Sequence, residues 1–353
     1  GLCLVGSEMC IRDRSKAVMI WLWIGIGMIL TMVVIGGLTR LTHSGLSMVH
    51  WTFAGSLPPM DEASWIAEFD RYKTSPEYIE LHSHFSLDDF KSIYWWEYIH
   101  RMFGRMIGLV FIIPFAFFVC TKRISKAMLP KFFIILALGS TQALLGWFMV
   151  KSGLVDMPRV SHHRLAAHLT TAFITCSYIF WVLLQYRDQN MSYNKSNSTS
   201  WAWLLGGGLV FQIVYGAFVA GLKAGWVHNT WPLMDGTIIA PAVWAMDSIF
   251  QSLMETKSGV QFVHRTMGLL VFGLAIYTAY QNRVSQWLRK PTMLFAICIT
   301  IQFLLGVTTL LLHTPIEFAV THQVFALVTL LSWVWLLYSF KHQKSSEGIQ
   351  QGV

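Results

Sequence analysis

Apolar residues gather into eight long runs along the chain, near 18–38, 98–120, 131–150, 165–185, 202–222, 262–281, 292–312 and 319–340. A helix of about 20 such residues crosses the hydrocarbon core of a bilayer. Hydrophobicity continues all round each run, which predicts spanning helices and not amphipathic surface helices. Pro130 and Pro291 fall where helices would begin, a position proline tolerates. The second, fourth, sixth and eighth runs each carry a histidine near the N-terminal end and are purely apolar beyond it. The pattern predicts an all-α polytopic membrane protein with eight transmembrane helices.

The polar intervals set the orientation. Lys122, Arg123, Lys126 and Lys131 lie in 121–131, Arg283, Arg289 and Lys290 in 282–291, and Lys341 and Lys344 near the C-terminus. The long interval 43–96 has only Arg71, Lys73 and Lys91 among eight acidic residues. Basic short loops stay on the cytoplasmic side. Both termini are therefore expected in the cytoplasm of a bacterial inner-membrane protein, with 43–96 and 223–261 facing the periplasm. The stretch DQNMSYNKSNSTS at 188–200 reads as a polar cytoplasmic linker.

That linker separates two similar halves. Gly36 and Gly45 in VIGGLTRLTHSG align with Gly216 and Gly225 in VYGAFVAGLKAG. Gln142 and Gly146 in TQALLG align with Gln302 and Gly306 in IQFLLG, EYIHRMFGRMIGL aligns His100 with His264, and RLAAHLTTAF with FAVTHQVFAL aligns His168 with His322. Matched landmarks in one order, with length changes in the loops, indicate an internal duplication. An even number of spans per half makes the repeats parallel, as two four-helix bundles. The expected division is 15–187 for the N-terminal bundle, 188–200 for the linker, 201–341 for the C-terminal bundle and 342–353 for a cytoplasmic tail. Residues 1–14 resemble a translated sequencing adapter in LVGSEMCIRDR and are expected to be non-native, with a short natural tail as the alternative.

Composition agrees with the pattern and adds one oddity. Of 353 residues, 54% are hydrophobic and 12% charged, about half the charge of a soluble protein. The net charge of +8 belongs to loop anchoring and implies no nucleic-acid partner. Cys120, Cys176 and Cys298 lie in apolar runs, so no disulfide framework is visible. Thirteen histidines in so charge-poor a chain need a reason. Four of them, His100, His168, His264 and His322, occupy matched places at the outer ends of spans. A lone intramembrane histidine is readily explained by a helix–helix hydrogen bond. Two recurring pairs on neighbouring helices suit axial ligation of haem iron by neutral imidazoles.

The halves differ beside these histidines. Glu97 precedes His100 by three residues, on the same helical face, where the second half has Gln261 before His264. A carboxylate at one centre and an amide at the other suggest that one site performs chemistry while the other keeps a permanent haem. A salt bridge from Glu97 to Arg101, at i+4, is the alternative role. Arg101, Arg105 and Arg265 could clamp haem propionates, and Arg105 could equally anchor at the headgroups. The nine remaining histidines, including His162 and His163, lie in loops or at helix ends and are expected to be solvated or hydrogen-bonded. Trp95 and Trp96 fit an interfacial aromatic belt, and the segment before them a partly helical outer lid.

Taken together, GGLTRLTHSGLSMVHW, FKSIYWWEYIHRMFGRMIGL, GWFMVKSGL, RLAAHL, NTWPLMDG and VQFVHR resemble heme A synthase of the mitochondrial and proteobacterial type, over about 17–340. The resemblance implies oxidation of the C8 methyl of heme O to a formyl group, giving heme A for terminal oxidases, with the new oxygen from water. It implies that His100 and His168 face the substrate iron, that His264 and His322 ligate a heme b cofactor, and that Glu97 is the essential carboxylate. His162 and His163 remain open as alternatives to His168. The cysteine pair of another branch is missing here. Membrane lipid, a heme O synthase, oxidase assembly factors and an unnamed electron acceptor are the implied partners, with homo-oligomerisation left open. Competing readings are a two-haem cytochrome b-like electron carrier and a haem transport or assembly protein.

Overall fold

The structure is a computed structural model that describes residues 2–49, 55–153, 160–188, 193–195 and 199–344, the side chains of 2–15, 152–153, 193–195 and 343–344 excepted. Most of the 188–200 linker and of the 342–353 tail lies outside the described residues. Among the described residues, eight helices are long and apolar enough to cross a membrane. They are α1 (Leu2–Leu41), α3 (Leu87–Cys120), α4 (Leu129–Gly153) and α5 (His162–Arg187), then α6 (Ser200–Gly221), α8 (Lys257–Gln281), α9 (Arg289–Leu311) and α10 (Ile316–Lys341). Two short helices lie between them, α2 (Glu62–Lys73) and α7 (Ile249–Glu255). A small antiparallel pair, β1 (Tyr193–Lys195) with β2 (His342–Lys344), is the sheet among the described residues.

The spans sit where the apolar runs predict, with long N-terminal extensions of α1, which runs back to Leu2, and of α3. α3 begins at Leu87, about three turns before the apolar run, because Ser86 and Asp89 form a reciprocal capping box that starts the helix there. Glu97 and His100 are thereby inside one continuous rod. Its outer turns pack on α2 through an aromatic cluster in which Trp65, Phe69, Tyr72, Phe90 and Tyr94 interlock. Trp95 joins that cluster beside Trp65 and Tyr98, so it is a packing residue as well as a candidate for the belt. The 223–261 interval, expected as an outer loop, contains a 3-10 turn (Pro241–Trp244), α7 and the first turn of α8.

The two halves meet where α1 and α5 pack against α6 and α10. One end of this seam is filled by a large apolar core that includes Val18, Leu22, Phe173, Cys176, Leu205, Leu327 and Leu337. Trp333 shows how tight it is: the indole donates to the Ala202 carbonyl at 2.7 Å, and a β-carbon on Gly206 would fall 2.0 Å from the ring. Glycine is required there for α6 and α10 to approach. Gly208 likewise faces Val271 inside the bundle. At the opposite end the seam opens into a chamber, and Arg40 from the last turn of α1 crosses it to bond the Ala220 and Gly221 carbonyls. A guanidinium there satisfies the exposed carbonyls at the C-terminus of α6.

Candidate functional site

A cavity of about 2270 Å³ occupies the open end and draws its lining from both halves. Pockets for one small ligand run to about 1000 Å³, so this chamber has room for more than one large planar group. His100, His168, His264 and His322 all line it, as do Glu97, Gln261 and the three arginines 101, 105 and 265. His162 and His163 do not; they point to Glu255 at the end of α7.

Each of the four histidines rests on a glycine of the neighbouring helix. The ring Cε1 would lie 3.0 Å from a β-carbon on Gly36 for His100, and 3.1 Å from one on Gly216 for His264. The corresponding values are 3.2 Å for Gly146 with His168 and 2.8 Å for Gly306 with His322. These glycines are the landmarks of the aligned halves, and their function is to seat an imidazole at the chamber wall. Nδ1 of His100, His264 and His322 is buried without a hydrogen-bond partner. Buried polar atoms are normally paired, so rings in this condition are suited to a bound group. His264 and His322 face one another with ring centroids 6.5 Å apart and planes at 83°. With imidazole–metal bonds of about 2 Å, one metal atom fits between such rings.

Glutamines serve three of the four. Gln142 donates to the His168 carbonyl at 3.1 Å, Gln212 to that of His264 at 2.8 Å and Gln302 to that of His322 at 3.1 Å, each amide nitrogen also lying 3.1–3.4 Å from the ring. His100 differs, because Met32 stands against Gly104 where Gln212 stands against Gly268. The 180-residue offset aligns Met32 with Gln212, so this second asymmetry was visible in the sequence and was missed.

Glu97 is 3% exposed and has every neighbour a carboxylate can use. Its Oε2 accepts from the Ser47 hydroxyl at 2.6 Å and from the Met48 amide at 2.9 Å, and Oε1 accepts from Arg101 at 2.5 Å. Arg101 also donates to the Met48 carbonyl at 3.1 Å. The salt bridge and the cavity-facing position thus coexist. Gln261 does the reverse in the second half: its amide nitrogen donates to the Ala224 and Val227 carbonyls. Both side chains fasten the loop that follows the first span of their half, one by accepting and the other by donating. Only the first places a carboxyl group at the chamber.

Arg265 is already engaged, donating to the carbonyls of Thr230, Pro232 and Leu233 at 2.7–3.1 Å and lying over the Trp231 ring. It holds the 228–233 loop against the cavity. Arg105 packs on Gly55, beside Met102.

The outer segment contributes a buried carboxyl that the sequence did not flag. Glu77 lines the chamber, accepts from Tyr72 at 3.2 Å, and Tyr72 in turn lies 2.7 Å from His82 Nδ1. Burial, together with the nearby Glu97 charge, pushes the Glu77 carboxyl up to about 8, against the smaller opposing effects of Tyr72 and Arg40. An unfolded glutamate titrates near 4.3. Between those values the folded chain holds a proton that the unfolded chain has released, so stability falls as pH rises toward 8. Burial lowers the pKa of His82, so its contribution runs the other way and is complete by about pH 7. Hydrogen-exchange protection of residues 62–86, corrected for intrinsic rates, should fall between about pH 7 and 8 and level off above that. The drop should vanish in Glu77→Gln; an unchanged profile in that variant would remove Glu77 as the cause.

Comparison with known proteins is consistent across the chain. The family described as cytochrome oxidase assembly protein (COX15-CtaA) matches residues 19–334. A heme A synthase of Flavobacterium johnsoniae is 43% identical over 339 residues, covering 93% of this chain and 98% of the relative. Heme A synthases of Paramagnetospirillum magneticum, at 40% identity over 94% of this chain and 96% of the relative, and of Wolbachia pipientis wMel, at 39% over 94% and 95%, are similar too. With a match over nearly every span and the histidine-lined chamber within it, the chain belongs to the COX15-CtaA family of cytochrome oxidase assembly proteins.

Proposed function

We propose that this protein is a heme A synthase of the bacterial inner membrane, an oxidoreductase converting the C8 methyl of heme O to a formyl group for use by terminal oxidases. The observation that carries the reading is the pairing of two histidine seats in one chamber with a carboxylate at only one of them. The names of the relatives point to the same chemistry. The division follows 15–187 for the substrate half and 201–341 for the cofactor half, with both termini cytoplasmic and the chamber toward the periplasm.

In this reading His100 and His168 face the iron of heme O, and Arg101 and Arg105 orient it. His264 and His322 hold heme b, and Arg265 serves that site by fixing the loop carrying Trp231. When bound, heme b supplies a one-electron centre. Conversion of a methyl and one water to a formyl group releases four electrons and four protons, so a proton acceptor and an external electron acceptor are both required. Glu97 is the chamber's ionisable acceptor beside His100. Its three donors fix both oxygens, so the carboxylate can take a proton or steady positive charge on the methyl carbon without reorienting. Water as the oxygen source fits that role.

The test is chemical. Cells supplying heme O and expressing this chain should yield heme A and its hydroxylated intermediate on chromatography of extracted haems. Recovery of two like b-type haems with no heme A would instead support an electron carrier.

A further inference from the structure

His162 and His163 open α5, in the first half, and Glu255 closes α7, in the second. Their ligand atoms come together across the seam, outside the chamber. His163 Nε2 lies 2.8 Å from Glu255 Oε1, His162 Nε2 lies 3.3 Å from Oε2, and all three residues' ligand atoms fall within 4.8 Å of one another. His162 is 8% exposed, yet its Nε2 has no hydrogen-bond partner. A buried imidazole nitrogen aimed at a carboxylate without bonding to it is costly unless something else takes its lone pair.

The surroundings hold the rings in place. A β-carbon on Gly221 would lie 2.4 Å from the His162 β-carbon, so α6 backs directly onto that residue. Phe218 presents its edge to both imidazoles at 5.2 Å. The adjacent cation, Arg164, is turned away over the Phe148 ring. His163 and Glu255 are each more than two-fifths exposed, so an ion can enter from solvent.

We propose that His162, His163 and Glu255 form a binding site for a divalent transition-metal ion of borderline softness, Zn2+ or Cu2+, that clasps the two halves together. Two imidazoles and one carboxylate suit these ions; oxygen-seeking Mg2+ and Ca2+ want more oxygen ligands, and Cu(I) wants sulfur. Three protein ligands leave a position open to water. Bonds of about 2 Å to each ligand require separations close to those observed, with only small side-chain adjustment. The ion's charge is opposed by the positive end of α5, and the Glu255 carboxylate offsets it. Because α5 and α7 belong to different halves, occupancy ties α7 to α5 beside Leu165 and Lys257, both at the chamber wall.

The site lies outside the chamber, and its test reads metal uptake and not turnover. Full-length protein purified with its haem and stripped by chelator should take up about one Zn2+ or Cu2+ per chain at micromolar concentration, by equilibrium dialysis and metal analysis. The Cu2+ form should show nitrogen hyperfine structure from two imidazoles in its electron paramagnetic resonance spectrum, and competition between the two ions identifies the preferred one. His163→Ala and Glu255→Gln should each weaken uptake at least about tenfold, with the haem absorption spectrum unchanged as the control for folding. His162→Ala is less informative, because that ring is packed against α6. No uptake by the wild type, or equal uptake by both variants, would overturn the proposal and leave Glu255 as a carboxylate at a helix N-terminus.

Discussion

Glu97→Ala is expected to reduce heme A formation at least about 100-fold while the heme b spectrum remains. The lower bound is the usual contribution of a positioned acid or base. The difficulty is that Glu97 also fastens the loop carrying Ser47 and Met48, and removing one partner of a buried ion pair costs about 3–5 kcal/mol. Glu97→Gln addresses this, because it keeps the volume and an oxygen that can accept from the loop. It also imitates the second half, where Gln261 stands at the matching place. Ser47→Ala is the complementary control, since it loosens the loop and leaves the carboxylate. The expected order is severe loss for both Glu97 variants and a mild effect for Ser47→Ala. Normal heme A production by Glu97→Ala would end the catalytic assignment, and equal losses in all three would make Glu97 a structural fastening.

The second large effect is expected at the other pair. His264→Ala and His322→Ala should each abolish the heme b spectrum of the purified protein, because each leaves one ring without its opposite across a 6.5 Å gap. Heme A formation should stop with it. His100→Ala should leave that spectrum and still stop the reaction, so the two pairs separate by spectroscopy alone. An intact heme b spectrum in both His264→Ala and His322→Ala would refute the cofactor assignment.

Much of this was legible because membrane burial leaves a coarse trace. Twenty apolar residues make a span regardless of neighbours, and histidines within such runs stand out against hydrocarbon. The glycine landmarks were readable as a duplication, but their purpose was not: that Gly36 or Gly306 seats an imidazole depends on how close two helices pass. The start of α3 was written in Ser86 and Asp89, and the apolar run hid it because capping is a polar signal outside the hydrophobic window. Glu77 had no signal, since nothing local shows that its interval folds it against Tyr72 at the chamber wall. Arg265 was expected at a propionate; its donors go to backbone carbonyls of a loop whose path no local pattern specifies. His162 and His163 read as incidental because Glu255, which gives them meaning, lies 92 residues from His163 in sequence.

The chamber's lining from both halves has a thermodynamic consequence. Two occupants that draw on the same walls are coupled to the extent that either one moves them. Whatever one end does to the position of α1, α5, α6 or α10 is felt at the other, as a coupling free energy that is equal in both directions. A substrate that binds more tightly when the second pocket is full must, by the same amount, hold the second pocket's occupant in place. On the proposed assignment, retention of heme b and capture of heme O are then a single property of the seam.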